Sequence, residues 1–227
     1  MRPAVITIDG PAGSGKTVVG KRIADALGYL YLDTGAFYRA LTWLALSRGI
    51  DPHDGVTLAQ LARQVTIQIV HPTVADGRPY TVLVNGQDVT TELSLPDVAN
   101  TVSIVAAHPE VRAELLPIQR RVASQGQVVM AGRDIGTVVV PDADLKLYLD
   151  APLPIRVARR LAQLRERGIE PDPAQIAAEM AARDRLDQAR AVAPLRPAPD
   201  AVIIDTTAMS IDEEVATILD LIAKRDP

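Results

Sequence analysis

One short stretch constrains this chain more than any other: IDGPAGSGKTVVGKRIADAL, residues 8–27. It begins as the end of an apolar run, turns through Gly10, Gly13 and Gly15 around Lys16, and continues with helical spacing. Glycine costs a helix about 1 kcal/mol relative to alanine, so its density where a helix must start needs another reason. Gly10 to Thr17 fits G-x-x-x-x-G-K-[ST] at every fixed position, after a predicted strand and before a predicted helix. In that context the glycines let successive backbone N–H groups turn inward on one anion, and the helix adds its positive N-terminal end. The loop Gly10, Pro11, Ala12, Gly13, Ser14, Gly15, Lys16, Thr17 and Val18 is therefore expected to bind the phosphates of ATP. Lys16 would bridge the β- and γ-phosphates, and the Thr17 hydroxyl would ligate Mg²⁺. The guanine-reading N-K-x-D and the transporter-type L-S-G-G-Q are both absent, which favours a small-molecule kinase.

With 28 acidic against 24 basic residues, the net charge of -4 argues against a protein that coats nucleic acid or an anionic membrane. From Arg156 to Arg196, however, nine arginines face six acidic residues, so this stretch carries +3 and can grip an anion. There is no cysteine, which excludes thiol nucleophiles and thiolate metal sites, and His53, His71 and His108 lack metal-ligand spacing. The opening apolar run breaks at Asp9, no signal peptide is expected, and no stretch has the ~18 apolar residues of a membrane helix. A cytoplasmic location and a monomer are the expectations.

Apolar runs at 5–8, 29–33, 128–132, 145–150 and 201–206 alternate with helical segments, the pattern of parallel strands covered on both faces. The fold class is α/β, a P-loop NTPase-type parallel sheet flanked by helices. Residues 65–91 depart from it, alternating apolar and polar with DG and NG turns, and are expected to form a small antiparallel meander with one wet face. Residues 109–125 return to helical spacing, 193–201 form a Pro-rich connector, and Ser210 with Glu213 resembles a capping box. The chain divides into a core of about 1–60, 126–155 and 190–227, an insertion of about 61–108 and an Arg-rich helical lid of about 156–189.

Three clusters define the acceptor side. In LDTGAFYRAL, Thr34 or Asp33 can cap a helix whose apolar face is Phe37, Leu41, Leu44 and Ala45, while Thr34, Tyr38 and Arg39 make a second anion site beside the glycine loop. Arg133 and Asp134 follow the strand at 128–132 and so emerge where ligands of open α/β sheets bind. Arg183, Asp187 and Arg190 share one helical stripe, with Arg159 and Arg160 on the helix before; Arg156, Arg165 and Arg167 are assigned to solvated faces. Each cluster also has a plainer reading as a cap, a self-paired couple or a wet surface. A kinase that phosphorylates a hydroxyl, one that prefers UMP, and an inactive nucleotide-binding module remain alternatives.

GPAGSGKT, LDTGAFYR, the meander, VANTVSIVAAHPEVR (98–112), GRDIGTVVVPDADLKLYLDA and RAVAPL follow one another as in the bacterial cytidylate kinases, which the chain resembles nearly end to end. The resemblance implies transfer of a phosphoryl group from ATP to CMP or dCMP with Mg²⁺. It implies that Thr34, Arg39 and Arg133 hold the acceptor phosphate, that Tyr38, Arg183 and Asp187 contact the sugar, and that Ser103, Arg112 and Asp134 read the cytosine. Arg190 would bridge the phosphates being joined, with Arg159 nearby in the lid. The catalytic set is then Lys16, Arg133, Arg159 and Arg190, and the insertion is the nucleoside monophosphate-binding part. Thr34 stands where other members can have serine, keeping the hydroxyl.

Overall fold

In the computed structural model, residues 4–166 and 168–224 are described; Arg167 lies outside them. Five strands form a parallel sheet: β1 (Val5–Asp9), β2 (Leu30–Asp33), β6 (Val128–Gly132), β7 (Leu145–Asp150) and β8 (Val202–Asp205), in the order β2-β6-β1-β7-β8. Strand β6 explains the continuous apolar runs. Its Val128 and Met130 enter a core on one face of the sheet, and its Val129 and Ala131 enter another on the opposite face.

Helix α1 (Lys16–Leu27) and helix α8 (Ile211–Ala223) cover the face of Ile6, Ile8, Leu147 and Ile204. Glycine at position 28 ends α1 at φ 72°, and the full capping box of Ser210 and Glu213 opens α8. The other face is covered by α2 (Gly35–Ser47), α3 (Gly55–Gln64), α4 (Pro96–Val105) and α5 (Pro109–Ala123). Phe37, Leu41, Leu44 and Ala45 of α2 are all buried there, as their spacing predicted.

The meander is present as β3 (Ile67–Val70), β4 (Thr81–Val84) and β5 (Gln87–Asp88), antiparallel throughout. Ile67 and Ile69 are buried while Gln68 between them is exposed, so this sheet has one dry face, which joins the α2 core. Asn85 and Gly86 take positive φ of 50° and 84° at the β4–β5 turn, the conformation for which Asn-Gly is favoured. Tyr80 stacks on Tyr31 of β2, with ring centroids 6.1 Å apart, fastening the small sheet to the large one.

Helices α6 (Leu153–Glu166) and α7 (Pro173–Gln188) form the arginine-rich pair. Parallel register sets the rest. Asp9 is opposite Gly132 and Asp33 is opposite Ala131, so the glycine loop, Thr34 and Arg133 all leave the sheet along one edge.

Candidate active site

The glycine loop leaves β1 at Gly10, where φ is 148° and an added Cβ would lie 2.2 Å from the Leu149 carbonyl oxygen. Only glycine fits this approach of loop to β7. Gly15 at φ 92° delivers the chain into α1 with no side-chain cap, leaving the first N–H groups of the helix free to receive an anion. Lys16 is buried against the loop and donates to the Pro11 carbonyl (2.6 Å) and to Ser14 Oγ (3.3 Å). Burial drives its pKa well below the ordinary lysine value; Arg133 and Arg183 push the same way, while Asp33 and Asp9 oppose them.

Those interactions already join the glycine loop to Arg133 and Arg183, which the sequence places in two other clusters. Arg133 Nε donates to Asp187 Oδ2 at 2.9 Å, and Arg190 donates to Asp187 Oδ1. Burial works to raise the Asp187 carboxyl, but the Arg133 and Arg190 guanidiniums outweigh it and hold the pKa below the usual range. Arg183 shares α7 with Asp187. Its Nε is buried without a partner, and its pKa is lowered to about 10 by burial and then by Arg133, with Arg39 adding to the repulsion. Four cations, Lys16, Arg39, Arg133 and Arg183, thus crowd together against three carboxylates, Asp9, Asp33 and Asp187.

Beside this group, Arg112 of α5 donates to Asp134, both buried, and its guanidinium carbon lies 5.4 Å from the Tyr38 ring centroid. Arg112 also reaches the Ala106 carbonyl at 3.3 Å, at the end of α4, the helix that carries half-buried Ser103. Thr34 Oγ1 donates to the Ala131 carbonyl at 3.2 Å, and Asp33, not Thr34, accepts the Gly35 N–H at the start of α2. Arg39 extends to within 3.4 Å of the Leu93 carbonyl.

Two sequence expectations, for Arg190 and Arg156, are corrected, and Arg159 takes a place of its own. Arg190 lies beyond α7, because the Leu195 N–H bonds back to the Asp187 carbonyl (2.9 Å) and turns the chain; it meets Asp187 from that turn. Arg159 is not drawn into the Arg133–Arg190 group: it donates to the Thr206 hydroxyl (3.0 Å) and carbonyl (2.5 Å) and lies 3.8 Å from Glu214. Arg156, assigned to a wet face, is buried. It donates to the carbonyls of Ala151 (2.8 Å) and Ala12 (2.9 Å) and to Asp184 Oδ2 (2.6 Å), clasping the glycine loop to α7. Arg165 is exposed as expected.

Sequence reasoning also missed Asp9 and Asp184. The only signal for Asp9 was a single acid ending an apolar strand; its carboxylate accepts the N–H groups of Ile135 and Gly136, both at 2.8 Å.

Thr17 is exposed on the first turn of α1, and among the described residues no group of three or more His, Cys, Asp and Glu side chains could hold a metal ion. A single hydroxyl beside a phosphate cradle suits Mg²⁺, which keeps several waters and binds through phosphates plus one or two protein oxygens. Among the described residues no helix is long and apolar enough to cross a membrane.

A family model described as Cytidylate kinase matches residues 6–224. A cytidylate kinase of Chloroflexus aggregans is 50% identical over 217 residues, covering 96% of this chain and 93% of that protein. One from Geobacillus kaustophilus is 48% identical over 220 residues, covering 97% and 96%. The crystal structure of an uncharacterized protein from Eubacterium ventriosum superposes with a TM-score of 0.52 at 11% identity over 96% of this chain and 98% of that one, a likeness of fold alone.

Proposed function

The chain belongs to the cytidylate kinase family, and on that footing we propose that its glycine cradle and its arginine crevice hold ATP and CMP or dCMP on either side of one phosphorus atom. The reaction is ATP-dependent phosphorylation of CMP and dCMP, giving CDP or dCDP and ADP. The observation that carries the assignment of residues is the crowding of Lys16, Arg39, Arg133 and Arg183, in which Arg133 and Arg183 lower the proton affinity of Lys16, and Arg133 and Arg39 that of Arg183. Such a crevice is stabilised by the phosphates of two nucleotides.

Thr34, Arg39 and Arg133 take the acceptor phosphate, Tyr38, Arg183 and Asp187 the sugar, and Ser103, Arg112 and Asp134 the base. A carboxylate at Asp134 accepts from the cytosine N4 amine, and Arg112 donates to its ring acceptors; uracil would turn O4 toward Asp134, a mismatch of about 1–3 kcal/mol per contact. The acceptor is a phosphate with a second pKa near 6, ionised at neutral pH, so the chain needs no general base, and charge placement carries the rate. Lys16, Arg133 and Arg190 stabilise the oxygens around the transferring phosphoryl group. Arg159 joins the donor phosphates on lid closure, leaving the Thr206 carbonyl. Mg²⁺, held by the Thr17 hydroxyl and the nucleotide phosphates, supplies further charge neutralisation when bound.

The core, insertion and lid of the chain fit this division of labour, with α6 and α7 as the lid that excludes water. We assign the protein to the cytoplasm and to a monomer. A coupled ADP-release assay with a panel of acceptors tests the reading. CMP and dCMP should stimulate strongly and UMP and AMP weakly; equal rates with all four would refute the base-reading residues.

A further inference from the structure

Asp9 is not part of either nucleotide contact set, yet it is one of the most deeply buried carboxylates, 2% exposed at the end of β1. Its two oxygens take the backbone N–H groups of Ile135 and Gly136, the residues immediately after Asp134. Those N–H groups open a short wide helical turn, Ile135–Val139, where Asp134 supplies the backbone carbonyl for Val138 and Val139. Two parallel N–H donors need two acceptors on one side chain, which a carboxylate alone provides. The turn also lies close against β1 and β7: a Cβ at Gly136 would sit 3.0 Å from Thr7 Oγ1 and 3.2 Å from Lys146 Cδ. Gly10, the next residue, begins the glycine cradle, so one residue ties the loop that holds the donor to the turn that presents Arg133 and Asp134.

Resting on the reading of Asp134 as the cytosine-reading group, we propose that Asp9 is a positioning residue for acceptor selectivity, holding the Asp134 turn in register with Arg112 through the Ile135 and Gly136 amides. Burial pushes its pKa up to about 6, against the pull of the two N–H bonds, with Asp134 raising it further and Lys16 lowering it. The charged and titratable groups that act on it are Lys16 from α1, Asp134 from the turn and Tyr148 from β7, the last titrating only at about 12. On protonation one oxygen becomes a donor facing an amide donor, and one N–H is left buried without an acceptor.

The test is the ratio of kcat/KM for CMP to that for UMP, with Mg·ATP saturating. Titration of the acceptor phosphate and of Lys16 affects both acceptors alike and cancels in the ratio. In the unaltered protein the ratio should fall by about tenfold between pH 8 and pH 5, within the range one lost base contact allows. In Asp9→Asn it should already be lowered by about tenfold at pH 8 and stay flat with pH, while the KM for ATP changes by less than about threefold. A ratio in Asp9→Asn within about twofold of the unaltered protein overturns the proposal, and so does a ratio in the unaltered protein that is flat across that range, which decides the matter if the variant does not fold. Absence of any CMP preference at pH 8 in the unaltered protein would instead defeat the assignment of Asp134.

Discussion

Arg156 offers the sharpest test, because its burial contradicts what its sequence neighbourhood implies. Its guanidinium serves three acceptors, the Ala151 and Ala12 carbonyls and the Asp184 carboxylate, while Asp184 Oδ1 has no other partner. Arg156→Met keeps most of the volume but leaves Asp184 as a buried charge with nothing opposite, a loss of about 3–5 kcal/mol. Against a total stability of about 5–15 kcal/mol this is large, and at about 2–4 °C per kcal/mol for a chain of this size the melting temperature should drop by about 6–20 °C. Thermal unfolding followed by circular dichroism reads it directly. The double variant Arg156→Met with Asp184→Leu removes both charges together, so most of the lost stability should return. Its KM for ATP should nevertheless stay raised, since the Ala12 carbonyl of the loop has lost its tether in both. A single variant that melts within about 2 °C of the parent would refute the clasp and restore Arg156 to the solvated face.

Other outcomes follow from single features. Gly10→Ala forces a Cβ to 2.2 Å from the Leu149 oxygen at a φ of 148°, so ATP binding measured by calorimetry should be lost; retained affinity would mean that the loop can back away from β7. Ser210→Ala removes the capping box of α8 and should cost about 1 kcal/mol with kcat unchanged, and a kinetic defect would reject its purely structural part. Asp9 gives a pH dependence of opposite sign to that of a salt-bridged carboxylate. Its folded pKa is raised from 3.8 to about 6, so its contribution to stability is present below pH 4 and lost as pH rises through 6, a change of about 3 kcal/mol in order of magnitude. Urea unfolding from pH 4 to 7 should therefore show the parent losing ground to Asp9→Asn as pH increases; the reverse trend would contradict a raised pKa.

The features legible in the sequence are those whose cause is local. The glycine spacing, the apolar strands, the Asn-Gly hairpin and the Ser210–Glu213 box each need only a few neighbouring residues to specify them, and each is present. Arg156 and Arg159 show where this stops. Both stand in the run RVARR, and which one turns inward depends on how α6 rotates against the glycine loop, a tertiary contact to Ala12 that lies 144 residues away. Asp9 likewise meets partners 126 and 127 positions on, in a turn whose sequence shows no need of an acceptor. Asp184 lies among arginines near the end of α7, a setting that reads as a wet charged face, yet it is buried, as is Asp187, which the stripe with Arg183 and Arg190 singles out. Asp184 holds Arg156 and through it the glycine loop; Asp187, one turn later, holds Arg133 and Arg190. The end of one helix therefore grips both the glycine loop and the Arg133–Arg190 pair, so a shift of α7 would move the two together and, on the proposed assignment, would link the seating of one nucleotide to that of the other.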